Sequence, residues 1–490
     1  MKISRRNFNM LSLAAAGTLA APAILRTSAA FAQPGGAARN VILLISDGAG
    51  FHTWTATSFY QHGALGQQAY DKFPVRTLMT TYPLNTSSTP TGDEVAQVSY
   101  DAPSAWDLRP MEGTFAGPVT QNTYVNGFRA YDYVRQNFTD SAAAGTALSA
   151  GRKTFNNAVN WSNTGQPMRM IGDRVKSAGK SLGVVSSVQI THATPAAFMC
   201  HNVSRNDYVG MGQEMLGDAL PDLAMGGGHP FFNNNGVYTT PADDRAFRFL
   251  GGPDAWTRLV TGQTDYHFLD ARADFEALAE GRLEMSRDKV IGVPQVASTL
   301  QLSRAGGAED AMGNFITNVP TLETMTKGAL NFLHAKGTGF FLMVEGGAVD
   351  WACHGNQTGR MIEEQIDFNR SVEAAVAWVE ANSSFEETLI IVTTDHGNGM
   401  VYGPDSDSFA FQPVVNNGAG SLPGVQWHFD HHTNELVPVW AVGPGAELLR
   451  DASTIEDEHT SLVGWGDVTR AHDNTDVAKV MEIAMNVADA

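Results

Sequence analysis

The sequence predicts an α/β protein of three layers, in which helices cover both faces of a large, mostly parallel central sheet. Short, unbroken apolar runs rich in Val, Ile and Leu occur at residues 40–46, 182–188, 340–344, 388–393 and 437–442. Such runs are typical of strands that are buried on both faces. Between residues 361 and 379, apolar side chains recur at three- and four-residue steps, which predicts an amphipathic helix packed on that sheet.

The composition limits the class of protein. With 43% hydrophobic and 17% charged residues, the chain is too apolar for a disordered protein, and its 49 glycines follow no collagen period. A length of 490 residues allows several domains or one large α/β domain. The net charge of −19 argues against a nucleic-acid partner and against an anionic lipid surface, since both require a basic face.

The first 32 residues predict an export signal. A basic start and an apolar stretch at 10–24 precede the small-residue pattern A-F-A at 30–32. The stretch is shorter than the ~20 residues that a spanning helix needs, so we expect no membrane anchor. Arg5 and Arg6 resemble the twin-arginine pattern, which predicts a periplasmic or secreted protein. Removal of this segment leaves 51 acidic and 28 basic residues, a net charge of −23.

Residues 33–490 are predicted to form a single domain with insertions above the carboxyl edge of the sheet. These insertions, around 50–134, 206–338 and 400–427, are rich in Gly, Asn, Asp, Pro and aromatic residues. Ligands bind at that edge in such folds. Cys200 and Cys353 are the only cysteines in the sequence, so no disulfide framework holds the fold, although one bridge between them stays open.

Residue types that bind metals follow three of the predicted strands. Asp47 follows the run at 40–46, Glu345 follows the run at 340–344, and Asp395 and His396 follow the run at 388–393. Any one of these residues could be a helix cap or a satisfied polar group. Together they predict a metal site at the edge of the sheet.

Two further groups strengthen that prediction. Asp350 and His354 are four residues apart, so on a helix they would share one face and could meet a single ion. His428, His431 and His432 are crowded just before the run at 437–442. They are interpreted as metal ligands or their supports, with a solvated loop as the alternative.

The motif T-D-S-A-A-A-G-T at 139–146 indicates an anion site. Small residues after Ser141 favour a helix that begins there and directs backbone N–H groups and the positive end of its dipole at the ligand of Ser141. The alternative is that Ser141 merely caps the helix. The acidic and histidine groups elsewhere in the chain favour the anion site.

These motifs resemble those of the alkaline phosphatases, two-zinc phosphomonoesterases with a phosphoserine intermediate, and they occur in the family's order from about residue 40 to residue 446. The resemblance implies that Ser141 is the nucleophile and that Arg205 binds phosphate. Its implied metal ligands are Asp350, His354 and His432 for the first Zn²⁺, Asp47, Asp395 and His396 for the second Zn²⁺, and Asp47, Thr194 and Glu345 for a third ion. The third set offers only oxygens, which suits Mg²⁺.

Two positions differ from the best-known bacterial members of that family. His192 and Trp351 look like the pair found in the marine, cold-adapted branch, and the resemblance locates them beside the third ion. His431 or His428 remains an alternative to His432 as a zinc ligand. The resemblance also implies a homodimer and an alkaline pH optimum, since protonation of the histidines would release zinc.

The predicted function is therefore that of an exported, metal-dependent hydrolase of phosphate monoesters. One alternative is a phosphodiesterase or sulfatase of the same superfamily, although neither Cys200 nor Ser141 lies in the C/S-x-P-x-R pattern of sulfatases. The other is a phosphate- or metal-binding protein without turnover. The acidic excess suggests a surface suited to saline water, a hypothesis that melting temperatures across a salt series would test.

Overall fold

The computed structural model describes residues 37–217, 220–306 and 313–488. The predicted export signal, residues 1–32, lies outside these described residues. Among the helices that are described, none is both long enough and apolar enough to cross a membrane.

An eleven-stranded sheet forms the middle layer of the protein. The strands of the described chain are β1 (Asn40–Ile45), β2 (Val75–Thr80), β3 (Pro110–Ala116), β4 (Thr123–Phe128), β5 (Ser181–Gln189), β6 (Leu223–Gly227), β7 (Tyr266–Leu269), β8 (Lys289–Gly292), β9 (Phe340–Glu345), β10 (Thr388–Thr393), β11 (Gly397–Asn398), β12 (Val401–Tyr402), β13 (Gln426–Trp427), β14 (His432–Thr433), β15 (Val437–Val442), β16 (Ile455–Glu456) and β17 (Arg470–Asp473). The order across the sheet is β16-β17-β2-β15-β10-β1-β9-β5-β6-β8-β7.

The centre of the sheet is parallel. β1 lies between β9 and β10, with residues 41–45 opposite 341–345 and residues 40–45 opposite 388–393. The parallel pairing continues from β9 through β5, β6 and β8 to β7. β15 is antiparallel to both of its neighbours, β10 and β2. All five predicted strands and the mostly parallel sheet are confirmed.

Helices cover both faces of this sheet. They are α1 (Phe51–His62), α2 (Ala102–Ala105), α3 (Arg129–Val134), α4 (Ser141–Ala150), α5 (Ile171–Ser177), α6 (Ala193–Ala196), α7 (Tyr208–Gly217), α8 (Pro253–Val260), α9 (Arg272–Ala279), α10 (Leu322–Ala335), α11 (Ala348–His354), α12 (Thr358–Asn382), α13 (Glu447–Ala452) and α14 (Thr475–Met485). The helix predicted over 361–379 is confirmed within α12.

Alternate side chains of β1 enter two separate cores. Ile42 and Leu44 pack in a core that contains apolar side chains of α1, α10 and α12. Val41, Leu43 and Ile45 pack in a second core with side chains of α4, α5 and α14. Because successive residues of a strand point to opposite faces, a sheet that is covered on both sides requires apolar residues at every position. This requirement explains the unbroken runs, and the three-layer arrangement is confirmed.

The structure corrects the extent of two predicted insertions, because both contribute to the sheet. The segment 50–134 contains β2, and the segment 206–338 contains β6, β7 and β8. β2, β7 and β8 have only four to six residues, so their apolar signal is lost among the neighbouring polar residues and glycines. The β3–β4 hairpin leaves the sheet, as does the segment 400–427, which forms a small ladder of β12 and β13.

Neither cysteine forms the bridge that the sequence left open. Cys200 and Cys353 are both buried and free, and burial raises the pKa of both thiols. Cys200 packs in the core that contains side chains of α4, and Cys353 packs in the core that contains side chains of α12. Both residues therefore act as small apolar side chains within the packed layers.

A histidine joins α5 to α7 at the edge of the second core. His201 Nδ1 lies 2.8 Å from a Glu214 oxygen, and its Nε2 lies 3.2 Å from an Asp173 oxygen. Burial alone would lower the pKa of His201, but its hydrogen bonds to the two carboxylates and their charges outweigh burial and raise the pKa to about 9. An unfolded histidine titrates near about 6.5. The stabilisation is thus complete below about pH 6.5 and is lost as the pH rises through about 9.

We expect His201→Asn to lower the free energy of unfolding by about 1–2 kcal/mol near neutral pH, since solvent screens part of the interaction. The difference from the wild type should shrink as the pH rises from about 6.5 to about 9, because the wild-type imidazole progressively loses its charge over that range. Denaturation across a pH series measures this difference. His62→Asn, at an exposed histidine, serves as the control, and a His201→Asn difference that stays constant with pH would contradict the assignment.

Candidate active site

Polar side chains converge at the carboxyl edge of β9, β1 and β10. Asp47 follows β1, Glu345 is the last residue of β9, and Asp395 and His396 follow β10. Because these strands are parallel neighbours, their ends meet at the same edge of the sheet. All four residues are at most 1% exposed.

The first cluster consists of Asp350, His354 and His432. Asp350 and His354 lie one turn apart on α11, and β14 brings His432 to them. His354 Nε2 is 3.1 Å from His432 Nε2 and 3.3 Å from one Asp350 oxygen, and His432 Nε2 is 3.3 Å from the other. The helical spacing predicted for Asp350 and His354 is therefore present, with both side chains on one face.

Backbone carbonyls fix the tautomers of both imidazoles in the first cluster. His354 Nδ1 lies 2.8 Å from the carbonyl oxygen of Asp430, and His432 Nδ1 lies 2.8 Å from that of Thr139. A carbonyl can only accept a hydrogen bond, so each Nδ1 carries the proton and donates it. When the ring is neutral, each Nε2 then directs a lone pair toward Asp350. Two such lone pairs and a carboxylate that converge on one point can bind a metal ion.

The second cluster consists of Asp47, Asp395 and His396. His396 Nε2 lies 3.2 Å from an Asp395 oxygen and 3.6 Å from an Asp47 oxygen. The rings of His396 and His432 stack with their centroids 3.6 Å apart. The first and second clusters are therefore immediate neighbours.

The third cluster consists of Asp47, Thr194 and Glu345. The Thr194 hydroxyl donates to an Asp47 oxygen at 3.3 Å, and the Glu345 carboxylate lies beside both residues. Ser186 on β5 donates to Glu345. Asp47 thus belongs to two clusters, and the third offers only oxygen atoms.

The clusters contain more buried negative charge than their neighbours compensate. One oxygen each of Asp47, Glu345 and Asp395 is buried without a hydrogen-bond partner. Burial and the adjacent carboxylates raise the pKa of Asp47 well above its ordinary value. Burial also raises the pKa of Glu345 to about 7, and burial with the charge of Asp350 raises that of Asp395 to about 6. Because buried carboxylates are costly without a cation, these residues fit divalent metal ions.

Ser141 lies beside the second cluster. It is the first residue of α4, it is 2% exposed, and its Oγ is 3.3 Å from His396 Nε2. Asp140 caps the helix by accepting from the Ala143 N–H at 3.0 Å. Because Asp140 is the cap, Ser141 is free to face the site, and the alternative of Ser141 as a simple N-cap is wrong. Gly145 permits the close packing of α4 on α6, since a Cβ there would lie 2.9 Å from Ala197 Cβ.

Arg205 reaches the same place from the chain before α7. Its guanidinium is 2.9 Å from an Asp140 oxygen, and the side chain is 16% exposed. Burial lowers the pKa of Arg205, but the charge and hydrogen bond of Asp140 outweigh burial and raise it. Asp140 thus fixes both the helix of Ser141 and the guanidinium of Arg205.

His192 and Trp351 are neighbours above the clusters. Their rings meet edge to face with centroids 5.4 Å apart, and the Tyr208 ring lies nearly parallel to that of His192 with a centroid separation of 6.5 Å. Burial and the charge of Arg205 lower the pKa of His192 to about 3, so its ring is neutral. The three aromatic side chains form a cluster near Arg205. Of these three residues, only His192 and Trp351 were predicted from the sequence.

Other supporting residues escaped the sequence analysis. Asn398 donates to an Asp350 oxygen at 2.6 Å and so orients a member of the first cluster. Asn398 lies two residues after His396 in D-H-G-N, and Tyr208 lies three residues after Arg205. For both residues, the signal in the sequence was that they lie close to a predicted site residue. Ser186 carried no such signal, because it lies within an apolar strand.

The three neighbouring histidines have different surroundings, and His428 lies outside the clusters. Its Nε2 is 2.6 Å from the Ser406 hydroxyl, and its ring packs against Tyr131. His431 lies edge-on to His354, but its Nδ1 accepts from the backbone N–H of His432 at 2.8 Å. Its proton must therefore be on Nε2, which leaves that nitrogen without a free lone pair. Only His432 presents Nε2 to Asp350.

The fold and the site together define an α/β protein with a carboxylate–imidazole centre of metal-binding type beside a serine at a helix start. The family model for alkaline phosphatase matches residues 118–421, more than half of the chain. The chain belongs to the alkaline phosphatase family.

Several curated relatives are similar to this chain. Alkaline phosphatase 4 of Bacillus subtilis is 32% identical over 268 residues, which are 54% of this chain and 50% of that protein. The streptomycin-6-phosphate phosphatase of Streptomyces griseus is 28% identical over 470 residues, covering 87% of this chain and 89% of that protein. The chain spans about half the length of the two Bacillus subtilis alkaline phosphatases it matches.

Solved structures of alkaline phosphatases share the fold. The enzyme from the Antarctic bacterium TAB5 has a TM-score of 0.59 and 22% identity, with 92% of this chain and 99% of that chain covered. The cold-active enzyme from a psychrophilic Shewanella has a TM-score of 0.61 and 20% identity, with 91% and 99% covered. At these identities the likeness concerns the fold alone.

Proposed function

We propose that this protein hydrolyses phosphate monoesters through a phosphoserine formed at Ser141, with two zinc ions and one magnesium ion as cofactors. The observation that carries the proposal is the position of Ser141 Oγ, 3.3 Å from His396 Nε2 at the start of a buried helix. A hydroxyl nucleophile, a fixed guanidinium and three ligand clusters thereby meet at one edge of the sheet. Membership of the alkaline phosphatase family supports the same reaction.

The clusters differ in the ions that they would hold. The first and second clusters combine imidazole nitrogen with carboxylate oxygen, the ligand types that suit Zn²⁺. The third cluster has only oxygens, which favours Mg²⁺. When bound, two zinc ions lower the pKa of hydroxyl nucleophiles and stabilise the charge on the attacking and leaving oxygens.

The protein's own residues position the reaction. Ser141 Oγ would form a bond to phosphorus as the ester oxygen leaves, while the N–H groups at the start of α4 offer hydrogen bonds to the phosphate. Arg205 presents a planar fork that matches two phosphate oxygens, and Asp140 holds it in place. Water would then cleave the phosphoserine in a second displacement. Two in-line displacements retain the configuration at phosphorus.

We expect kcat/KM for a phosphate monoester to exceed that for a matched diester or sulfate ester by at least about 1000-fold, because one fully ionised phosphoryl group suits the clustered cations and Arg205. Steady-state rates on the three esters of one alcohol measure this ratio, with the chelated enzyme as the control. A diester or sulfate preference would favour the other activities of the superfamily. Phosphate binding without turnover of any ester would identify a binding protein instead.

We also propose that the protein is exported by the twin-arginine route to the periplasm or beyond and that it forms a homodimer. The support for export is the basic, apolar and small-residue pattern of residues 1–32. The support for a dimer is the family resemblance. N-terminal sequencing of protein recovered outside the cytoplasm tests the first point, since cleavage should leave Gln33 at the terminus, and sedimentation tests the second.

A further inference from the structure

The loop of the β3–β4 hairpin is fastened to the chain segment that carries the first cluster. One carboxylate oxygen of Asp430 accepts from the Thr120 N–H at 2.6 Å, the Thr120 hydroxyl at 2.7 Å and the Val119 N–H at 3.1 Å. Asp430 is 0% exposed, whereas Val119 is 50% exposed. A surface loop therefore reaches inward to a fully buried carboxylate.

The hairpin backbone approaches this carboxylate closely. A Cβ at Gly117 would lie 2.2 Å from the same Asp430 oxygen and 2.6 Å from a Tyr124 ring carbon. Only glycine fits there without displacing the carboxylate. The contact thus depends on the residue type at Gly117 as well as on the hydrogen bonds of Thr120.

Asp430 also sets the orientation of an imidazole of the first cluster. The backbone carbonyl of Asp430 accepts from His354 Nδ1 at 2.8 Å. The preceding residue is also tied down, because Asn356 donates to the Phe429 carbonyl at 2.8 Å and accepts from the Tyr124 hydroxyl. The hairpin therefore holds the backbone at 429–430 through two separate contacts.

We propose that Asp430 is a positioning residue for the first cluster: its side chain binds the hairpin loop so that its carbonyl holds the His354 ring with Nε2 directed at Asp350 and His432. This inference rests on the proposed function. Segment 428–431 contains no helix or strand, so its carbonyls need an external support. Loss of a group that orients an imidazole ligand typically lowers metal affinity about 10–100-fold.

Asp430→Asn tests the inference, because all three donors meet one oxygen and a neutral amide oxygen accepts these hydrogen bonds less strongly than a carboxylate oxygen does. We expect the affinity for one of the two zinc ions to fall about 10–100-fold, measured by competition with a chelator and by native mass spectrometry. The second ion should remain bound.

Smaller changes separate positioning from general stability. Thr120→Val removes one donor and keeps the side-chain outline, so it should weaken the same zinc ion in the same direction, and Thr120→Ser should restore its affinity. These two variants also decide the question if Asp430→Asn fails to fold. Asp132→Asn is the matched control, at a carboxylate in α3 that accepts a hydrogen bond from Gln136.

Two results would overturn the inference. If Asp430→Asn and Thr120→Val bind both zinc ions as tightly as the wild type, Asp430 is only a structural tie, and the proposed function stands. If the wild type itself binds no zinc and forms no phosphoserine, the proposed function fails, and the inference fails with it.

Discussion

Ser141→Ala is expected to reduce kcat for a phosphate monoester by about 10³–10⁵-fold, because the variant has no oxygen to attack phosphorus. The phosphoenzyme should disappear as well. Acid quenching during turnover, followed by peptide mass spectrometry, detects the phosphorylated peptide of the wild type. Zinc content should not change, since the ligand clusters keep all their members.

Ser149→Ala is the matched control for this experiment. Ser149 lies on the same helix and is fully buried, and its hydroxyl donates to Asn160 at 2.9 Å. Its removal should cost about 1 kcal/mol of stability and leave turnover per folded molecule intact. Phosphoenzyme in Ser141→Ala, or equal losses of activity in the two variants, would contradict Ser141 as the nucleophile.

Asp47→Asn is expected to have opposite effects on stability with and without metal. Asp47 belongs to the second and third clusters, so the loaded variant should lose metal from both and at least about 100-fold in kcat. Without metal, burial and the adjacent carboxylates raise the pKa of Asp47, so its charge destabilises the folded state increasingly as the pH rises. A neutral amide removes that cost. The metal-free variant should therefore melt a few degrees above the metal-free wild type at alkaline pH.

Melting curves with zinc and with a chelator measure this crossover, because metal binding stabilises the wild type more than the variant. Asp222→Asn is the control, since Asp222 is also buried but pairs with Lys176 at 2.7 Å. That variant should melt lower under both conditions. If metal-free Asp47→Asn also melts below the metal-free wild type, Asp47 is not an uncompensated charge.

Several positions in the three clusters could be predicted because their signals are local. Asp47, Glu345 and Asp395 directly follow apolar runs, and the ends of neighbouring parallel strands must meet at one edge. Asp350 and His354 have helical spacing, which fixes their relative direction. In each case a short stretch of sequence determines both the element and the position of the side chain on it.

Contacts between distant segments could not be predicted in this way. Asp430 meets Thr120 across 310 residues, and Arg205 meets Asp140 across 65. No periodicity within either segment encodes these distances. The short strands β7 and β8 were not predicted, because membership of the sheet depended on their neighbours rather than on a long apolar run.

The sequence by itself determined the fold class, the edge of the sheet at which chemistry occurs, and the residue types gathered there. The family resemblance implied His432 for the first cluster and left His428 and His431 as alternatives, and tertiary structure decided among the three. His428, His431 and His432 are indistinguishable by residue type and spacing. They differ in the group that one ring nitrogen contacts. The Ser406 hydroxyl lies beside a nitrogen of His428, and the backbone N–H of His432 donates to a nitrogen of His431. In His432, a ring nitrogen instead meets the Thr139 carbonyl. A carbonyl partner leaves Nε2 free, and only packing sets that partner.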